Sequence, residues 1–286
     1  MPELPEIETI ARDLHKYLKN ETIVKIEYVN PGKILRTKQS FFTVKLKNQK
    51  IKRVFRRAKM AVIELSSGFV VFHLKMTGQL VYRSGKLIVA GGHPIVSTGL
   101  VVPNKFTRLV FHFKNKGLLY FNDIRKFAWV EYMSVADFKA YEKKLGHEPL
   151  SGTLTLAGFK TLIARRSGTS IKAALLDQKL VSGLGNIYVD EVLFKARVQP
   201  ARRVKTLKSV ELQKIFRAIT TILEKAVLFR GTTFSNYTDG DGRKGNFMAH
   251  LQVYGRQGKA CLVCKRRLEK SRVAGRGTHF CSHCQK

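Results

Sequence analysis

The 286-residue sequence is short of acidic residues, short of cysteine, and without a long apolar run. No stretch of about 18 uncharged apolar residues occurs, so no membrane-spanning helix is expected. Glu3, Glu6 and Glu8 stand where a secretory leader needs basic and then apolar residues, so the chain is expected to remain in the cytoplasm, at the nucleoid when bound to DNA. Asp and Glu number 20 against 53 Lys and Arg, a formal net charge of +33. Such an excess repels itself in the folded state and points to a polyanionic partner, nucleic acid first. Ribosome association or a coding bias toward lysine would leave the same imprint, and runs such as Lys50-Ile51-Lys52-Arg53 also suit solvated faces. The four cysteines all lie between residues 261 and 284. In a cytoplasmic chain that clustering argues for a metal rather than disulfides.

What is present divides into zones of different periodicity, with no internal repeat. Ile7, Ile10, Ala11, Leu14, Tyr17 and Leu18 follow helical spacing behind Pro5, predicting an opening helix. Short β-type runs follow at 23–29, 41–46, 60–65, 69–74, 108–113, 118–121 and 127–133, as in a β-sandwich or flattened barrel. Residues 84–105, rich in glycine and proline, read as a long loop or disordered excursion. From about Val135 the pattern turns helical. Helices are expected at 171–176 and 187–194 around a turn at 180–185. A third carries the stripe Leu212, Ile215, Phe216, Ile219, Ile222, Leu223 and Val227 and ends near Gly231. Residues 232–245 read as a mobile loop.

Two motifs carry chemistry. Cys261-x2-Cys264 and Cys281-x2-Cys284 each place two thiolates on one ion, with a β-hairpin's length between them. A closed four-thiolate set favours one structural Zn2+, with iron–sulfur as the alternative. Six basic residues between the pairs, against Glu269 alone, favour DNA contact. The second motif is the N-terminus. Removal of Met1 ahead of the small Pro2 exposes a secondary amine, and an α-amino group titrates near 8 rather than the ~10.4 of lysine. Much of it is then neutral and nucleophilic. Attack on a sugar C1′ gives an iminium that acidifies the neighbouring carbon and permits elimination of phosphate, with Glu3 placed to move protons. The same residues also suit a plain helix start.

Pro2-Glu3-Leu4-Pro5-Glu6-Ile7-Glu8-Thr9 resembles the opening of bacterial formamidopyrimidine-DNA glycosylases, also called 8-oxoguanine DNA glycosylases. Leu4 matches that branch, whereas the endonuclease VIII branch typically has Gly there. The resemblance continues through Arg56-Arg57-Ala58-Lys59, His73-Leu74-Lys75-Met76-Thr77-Gly78, Asp123-Ile124-Arg125-Lys126-Phe127, the run from Lys172 to Gln178, and Gly183-Leu184-Gly185-Asn186-Ile187-Tyr188-Val189-Asp190-Glu191. It ends with Val253-Tyr254-Gly255-Arg256-Gln257-Gly258 and Gly275-Arg276-Gly277-Thr278-His279-Phe280-Cys281. These blocks span nearly the whole chain in family order. Departures are Ala128 and His147, where the family usually has Gly and Pro, and a family His-Asp-His segment that is not visible before Arg108.

The resemblance implies an α+β multidomain fold. An N-terminal catalytic β-sandwich with an opening helix occupies 1–133, a helical helix–two-turn–helix domain 134–240, and a β-hairpin zinc finger 241–286. It implies a bifunctional enzyme acting as a monomer on double-stranded DNA, excising oxidised purines and nicking the strand through a Schiff base. An endonuclease VIII-like preference for oxidised pyrimidines, or a non-catalytic zinc-finger DNA-binding protein, are the alternatives. Pro2 is implied as nucleophile, Glu3 as proton donor, Glu6 as their support, and Lys59 and His73 as DNA contacts, with Lys59 assisting catalysis. Met76, Arg125 and Phe127 are implied to fill the gap left by an extruded nucleotide, though by residue type alone Met76 and Phe127 suit strand cores. Asn186 and Arg276 are implied to grip phosphates. Lys172, with the loop around Thr232, Thr233 and Tyr237, is implied to lie at the lesion pocket.

Overall fold

Pro5 and Glu6 open α1 (Leu4–Leu18), whose apolar positions Leu4, Ile7, Leu14 and Leu18 are all at most 2% exposed. Burying each such side chain contributes about 1.5–3 kcal/mol, so this stripe fixes the helix to its neighbours. The computed structural model describes residues 1–92, 101–232 and 246–286. These form two compact units, Met1–Lys143 with Phe229–Met248, and Lys144–Leu228 with Ala249–Lys286. No helix among the described residues is long and apolar enough to cross a membrane.

The first unit is the expected sandwich. After α1 come β1 (Ile23–Tyr28), α2 (Gln39–Leu46), β2 (Ile51–Arg57), β3 (Met60–Leu65), β4 (Phe69–His73), β5 (Gly78–Ser84), β6 (Leu87–Gly92), β7 (Thr107–Phe113), β8 (Leu118–Asp123), β9 (Trp129–Met133) and α3 (Val135–Glu142). One sheet has the order β1-β7-β8-β5-β6 and the other β2-β3-β4-β9, antiparallel throughout. Their inner faces share one core containing Leu80, Phe111, Phe121, Ile63, Phe72 and Val130. α1 packs on the edge strands β2 and β6 and closes one open side. It lies so near β6 that a Cβ on Gly91 would sit 2.0 Å from Ile10.

Three expectations fail here. Residues 41–46 are the helix α2, because Phe42 and Leu46, four apart, are the fully buried pair, while Phe41 and Val44 face out. The expected loop at 84–105 contains β6, and its residues 93–100 lie outside the described ones. The last strand of the sandwich begins at Trp129, not Phe127. Ala128 is accommodated without strain at a buried position, its N–H donating to Asp123 Oδ2 at 2.8 Å.

The second unit holds α4 (Leu156–Ala164), α5 (Ile171–Leu176), α6 (Asn186–Ala196), α7 (Ser209–Leu228) and a hairpin of β10 (Glu269–Val273) and β11 (Arg276–Phe280). α7 buries Ile215, Ala218, Ile219, Ile222, Leu223 and Ala226 on one stripe. The hairpin turns through Ala274 and Gly275, both at positive φ, the two-residue turn that matches strand twist. His147 pairs its backbone with Leu180 and Val181 across the two-turn, a geometry that does not require proline.

Candidate active site and DNA interface

Two crossovers between the sheets of the first unit leave from one end. One runs from β4 to β5, the other from β8 to β9, and the register pairs His73 with Trp129 and Gly78 with Asp123. The loops bearing Met76 and Arg125–Phe127 are therefore neighbours by topology. Asp123, wholly buried, joins them. Its carboxylate accepts from the Thr77 hydroxyl, from the Arg125 N–H at 3.3 Å and from the Ala128 N–H at 2.8 Å. The loop is thus held rigid while its tips project. Met76 is 45% and Phe127 56% exposed, neither a core residue. The Arg125 guanidinium sits 4.6 Å over the Phe127 ring. Exposed apolar groups on a rigid base suit insertion into a stack of bases.

Beside these loops, the Lys75 N–H donates to His73 Nδ1 at 3.1 Å, leaving the proton on Nε2. Burial and the charges of Lys75, Lys59 and Arg36 push the His73 pKa down to about 3. A neutral N–H donor among three cations is a ready cradle for phosphate. Lys59 is buried in the β2–β3 turn, which Arg56 secures: its Nη1 donates to Ala58 O at 3.1 Å and its Nε to Glu8 of α1 at 2.8 Å.

At the head of α1, Pro2 is half-buried and Glu3 buried. Glu6 accepts from the Glu3 N–H at 2.9 Å, from the Thr232 N–H at 2.7 Å and from the Thr232 hydroxyl at 3.0 Å. Its carboxylate thus ties the N-terminus to the returning segment at Thr232. Gly231, at φ +80°, has no room for a side chain, since a Cβ would lie 2.6 Å from Glu6 Oε1. Arg230 pairs with Asp13 of α1. Thr233 and Tyr237 lie outside the described residues.

In the second unit, Gln178 holds the two-turn between α5 and α6. Its Nε2 donates to the carbonyls of Leu176 and Leu184, and its Oε1 accepts from the Gly183 N–H. Asn186 is the first residue of α6, where free backbone N–H groups favour anions. Asn186 Nδ2 donates to Gly277 O at 2.9 Å, beside the exposed Arg276 at the hairpin tip. Lys172, expected at the lesion pocket, is fully enclosed. With no exposure, its ammonium donates to Asp190 at 2.6 Å and Gly277 O at 3.2 Å, and Asp190 also takes the His279 N–H at 2.8 Å. These bonds fasten the hairpin to α6. Glu191 next to it accepts the N–H groups of Gln252, Val253 and Tyr254, and burial pushes its carboxyl pKa up.

The four cysteine sulfurs lie within 4.8 Å of one another, with contacts of 4.0 Å for Cys261–Cys284 and 3.5 Å for Cys264–Cys281. Tetrahedral Zn–S bonds of ~2.3 Å require edges of about 3.8 Å. Cys261, Cys264, Cys281 and Cys284 are therefore the ligand set of one structural zinc, closed to catalysis.

Family models match three stretches: the formamidopyrimidine-DNA glycosylase N-terminal domain at 1–130, its H2TH domain at 145–238, and the zinc finger found in FPG and IleRS at 258–286. The formamidopyrimidine-DNA glycosylase of Pelotomaculum thermopropionicum is 38% identical over 289 residues, covering 100% of this chain and 99% of its own. That of Listeria innocua is 36% identical with both chains fully covered. The chain belongs to the formamidopyrimidine-DNA glycosylase family. Its fold superimposes on that of a Lactococcus lactis FPG variant in complex with a Fapy-dG containing DNA, with a TM-score of 0.88 at 33% identity and full coverage of both chains. The Lactococcus lactis Fpg with an abasic site containing DNA gives 0.87 at 33%, with 99% of each chain covered.

Within this family site, sequence reasoning missed Asp123 and Asp190 as organisers, although both stood in the quoted motifs. The available signal was an acid inside an otherwise basic loop, and paired acids on an apolar helix.

Proposed function

We propose that the chain is a bifunctional DNA glycosylase and abasic-site lyase of base excision repair, acting as a monomer in the cytoplasm, at the nucleoid, on double-stranded DNA with an oxidised purine. The observation that carries this is the head of α1: a removable, half-exposed Met1, then Pro2 and a buried Glu3, on the unit that bears the His73 cradle. Relatives of matching length seen with Fapy-dG and abasic DNA support the same substrate class.

In this reading Met76 and Phe127 enter the space of the extruded nucleotide, and Arg125 offers donors to the orphaned partner base. The Pro2 nitrogen attacks C1′ and gives up its proton as the C1′–base bond breaks and the base leaves protonated; the C1′–O4′ bond then opens, Glu3 supplying a proton to O4′, which leaves the C1′=N+ iminium. The iminium then acidifies C2′. Loss of that proton expels the 3′ phosphate, and a second elimination expels the 5′ phosphate. Lys59, with His73, steadies the charge on the leaving phosphate. Asn186 and Arg276 hold the backbone without reading sequence, and Arg276 thereby assists the chemistry. Glu6 and Lys172 act by positioning. Functionally we divide the chain into a catalytic part at 1–133, a helical DNA-binding part at 134–240 and the zinc finger at 241–286.

The test is strand cleavage of duplexes carrying 8-oxoguanine, a formamidopyrimidine or an oxidised pyrimidine. Faster excision of the two purine lesions is expected. The reverse order would transfer the chain to pyrimidine repair, and no cleavage of any lesion or abasic duplex would overturn the enzymatic reading.

A further inference from the structure

Arg36 lies between β1 and α2, in a segment pinned to β9. Its N–H donates to Val130 O at 3.0 Å, Leu35 bridges Val130, and Thr37 Oγ1 accepts the Tyr132 N–H at 3.0 Å. The guanidinium stacks on the indole of Trp129, 4.1 Å from the ring centroid. Trp129 is itself 3% exposed, wedged between the rings of His73 and Tyr141, so it offers no free face to a base. It serves as a platform.

A guanidinium stacked in this way keeps its edge N–H groups pointing outward. Those of Arg36 are unspent. Its one ion-pair partner among the described residues is Glu131, at 4.0 Å, beyond hydrogen-bond reach, and the side chain is 47% exposed. Arg36, Lys59 and Lys75 all press their charge on His73. Cations crowded around a neutral donor leave an excess of positive potential at that end of the sandwich, and a fixed fork of donors matches phosphate.

We propose that Arg36, held flat on Trp129, grips a DNA backbone phosphate next to the one received by His73 and Lys59, with Trp129 as its positioning residue. The proposal rests on the chain binding DNA. Its test therefore begins with the wild-type protein.

Full-length protein is titrated with a duplex carrying a tetrahydrofuran abasic analogue, over about 50–200 mM salt. Arg36→Ala should bind roughly tenfold more weakly, and its slope of log affinity against log salt should fall by about 0.9. Duplexes in which single phosphates are replaced by neutral methylphosphonates locate the contact. One replacement should weaken the wild type and leave Arg36→Ala unaffected. An unchanged circular dichroism spectrum and urea midpoint in Arg36→Ala show that the fold carrying the Trp129 platform is intact. If wild-type protein binds with normal salt dependence but Arg36→Ala keeps the same slope, or every methylphosphonate weakens both proteins alike, Arg36 is a packing residue and the proposal fails. If the wild type does not bind, the DNA reading fails first.

Discussion

Asp123→Asn is the substitution that most cleanly separates loop scaffolding from chemistry. The native carboxylate, wholly buried, accepts from Thr77 Oγ1 and the N–H groups of Arg125 and Ala128. Asparagine keeps the shape but turns one acceptor into an NH2 group facing donors. At least one bond to a charged acceptor is lost, and such bonds contribute about 1.5–3 kcal/mol each. A buried donor left unpaired adds about 1–3 kcal/mol. A loss of about 2.5–6 kcal/mol is thus expected for the first unit, visible as a lower urea midpoint with an unchanged m-value. Because the loosened loops carry Met76, Arg125 and Phe127, excision of a paired lesion should fall more than cleavage of a pre-formed abasic site. Single-turnover assays on the two duplexes measure this. Equal losses on both substrates, or native stability with native excision, would refute the assignment of Asp123 as the scaffold of the wedge.

Two further outcomes follow from the second unit. Lys172→Met removes one partner of a fully buried pair and leaves Asp190 uncompensated, which should cost about 3–5 kcal/mol in urea unfolding. Lys172→Met combined with Asp190→Asn should recover part of the loss, and no recovery would mean that the pair is not the source. Cys261→Ser should abolish stoichiometric zinc and disorder the β10–β11 hairpin, since four thiolates typically supply about 10–16 kcal/mol of local folding energy. The variant should still show a cooperative transition for the first unit, and metal analysis with circular dichroism checks both expectations.

The parts legible in the sequence are those encoded over short range. Helical spacing from Ile7 to Leu18 gives α1, alternation gives most strands of the sandwich, and the cysteine pairs give the metal site because their ligand geometry is local. Residues 41–46 mislead because a short apolar run has no decisive period; the choice of helix lies in which pair, Phe42 and Leu46, reaches the core. β2 is hidden by its charge: Lys52, Arg53, Arg56 and Arg57 ride on a strand whose inward positions are Ile51 and Val54. The burial of Lys172 is not legible, because its partner Asp190 stands 18 positions away and its acceptor Gly277 stands 105 away. Residue type alone makes Met76 and Phe127 core residues; their exposure follows from the topology of two adjacent crossovers, which no local pattern contains.

In the proposed mechanism the Pro2 amine forms a covalent bond to the sugar. Borohydride reduction during reaction with an 8-oxoguanine duplex, followed by mass spectrometry of the digested adduct, tests it directly. The expected product is a DNA-linked N-terminal peptide that begins at Pro2, with no trapped species when that amine is blocked. A trapped adduct on a lysine, or full strand cleavage by protein that retains Met1, would contradict it.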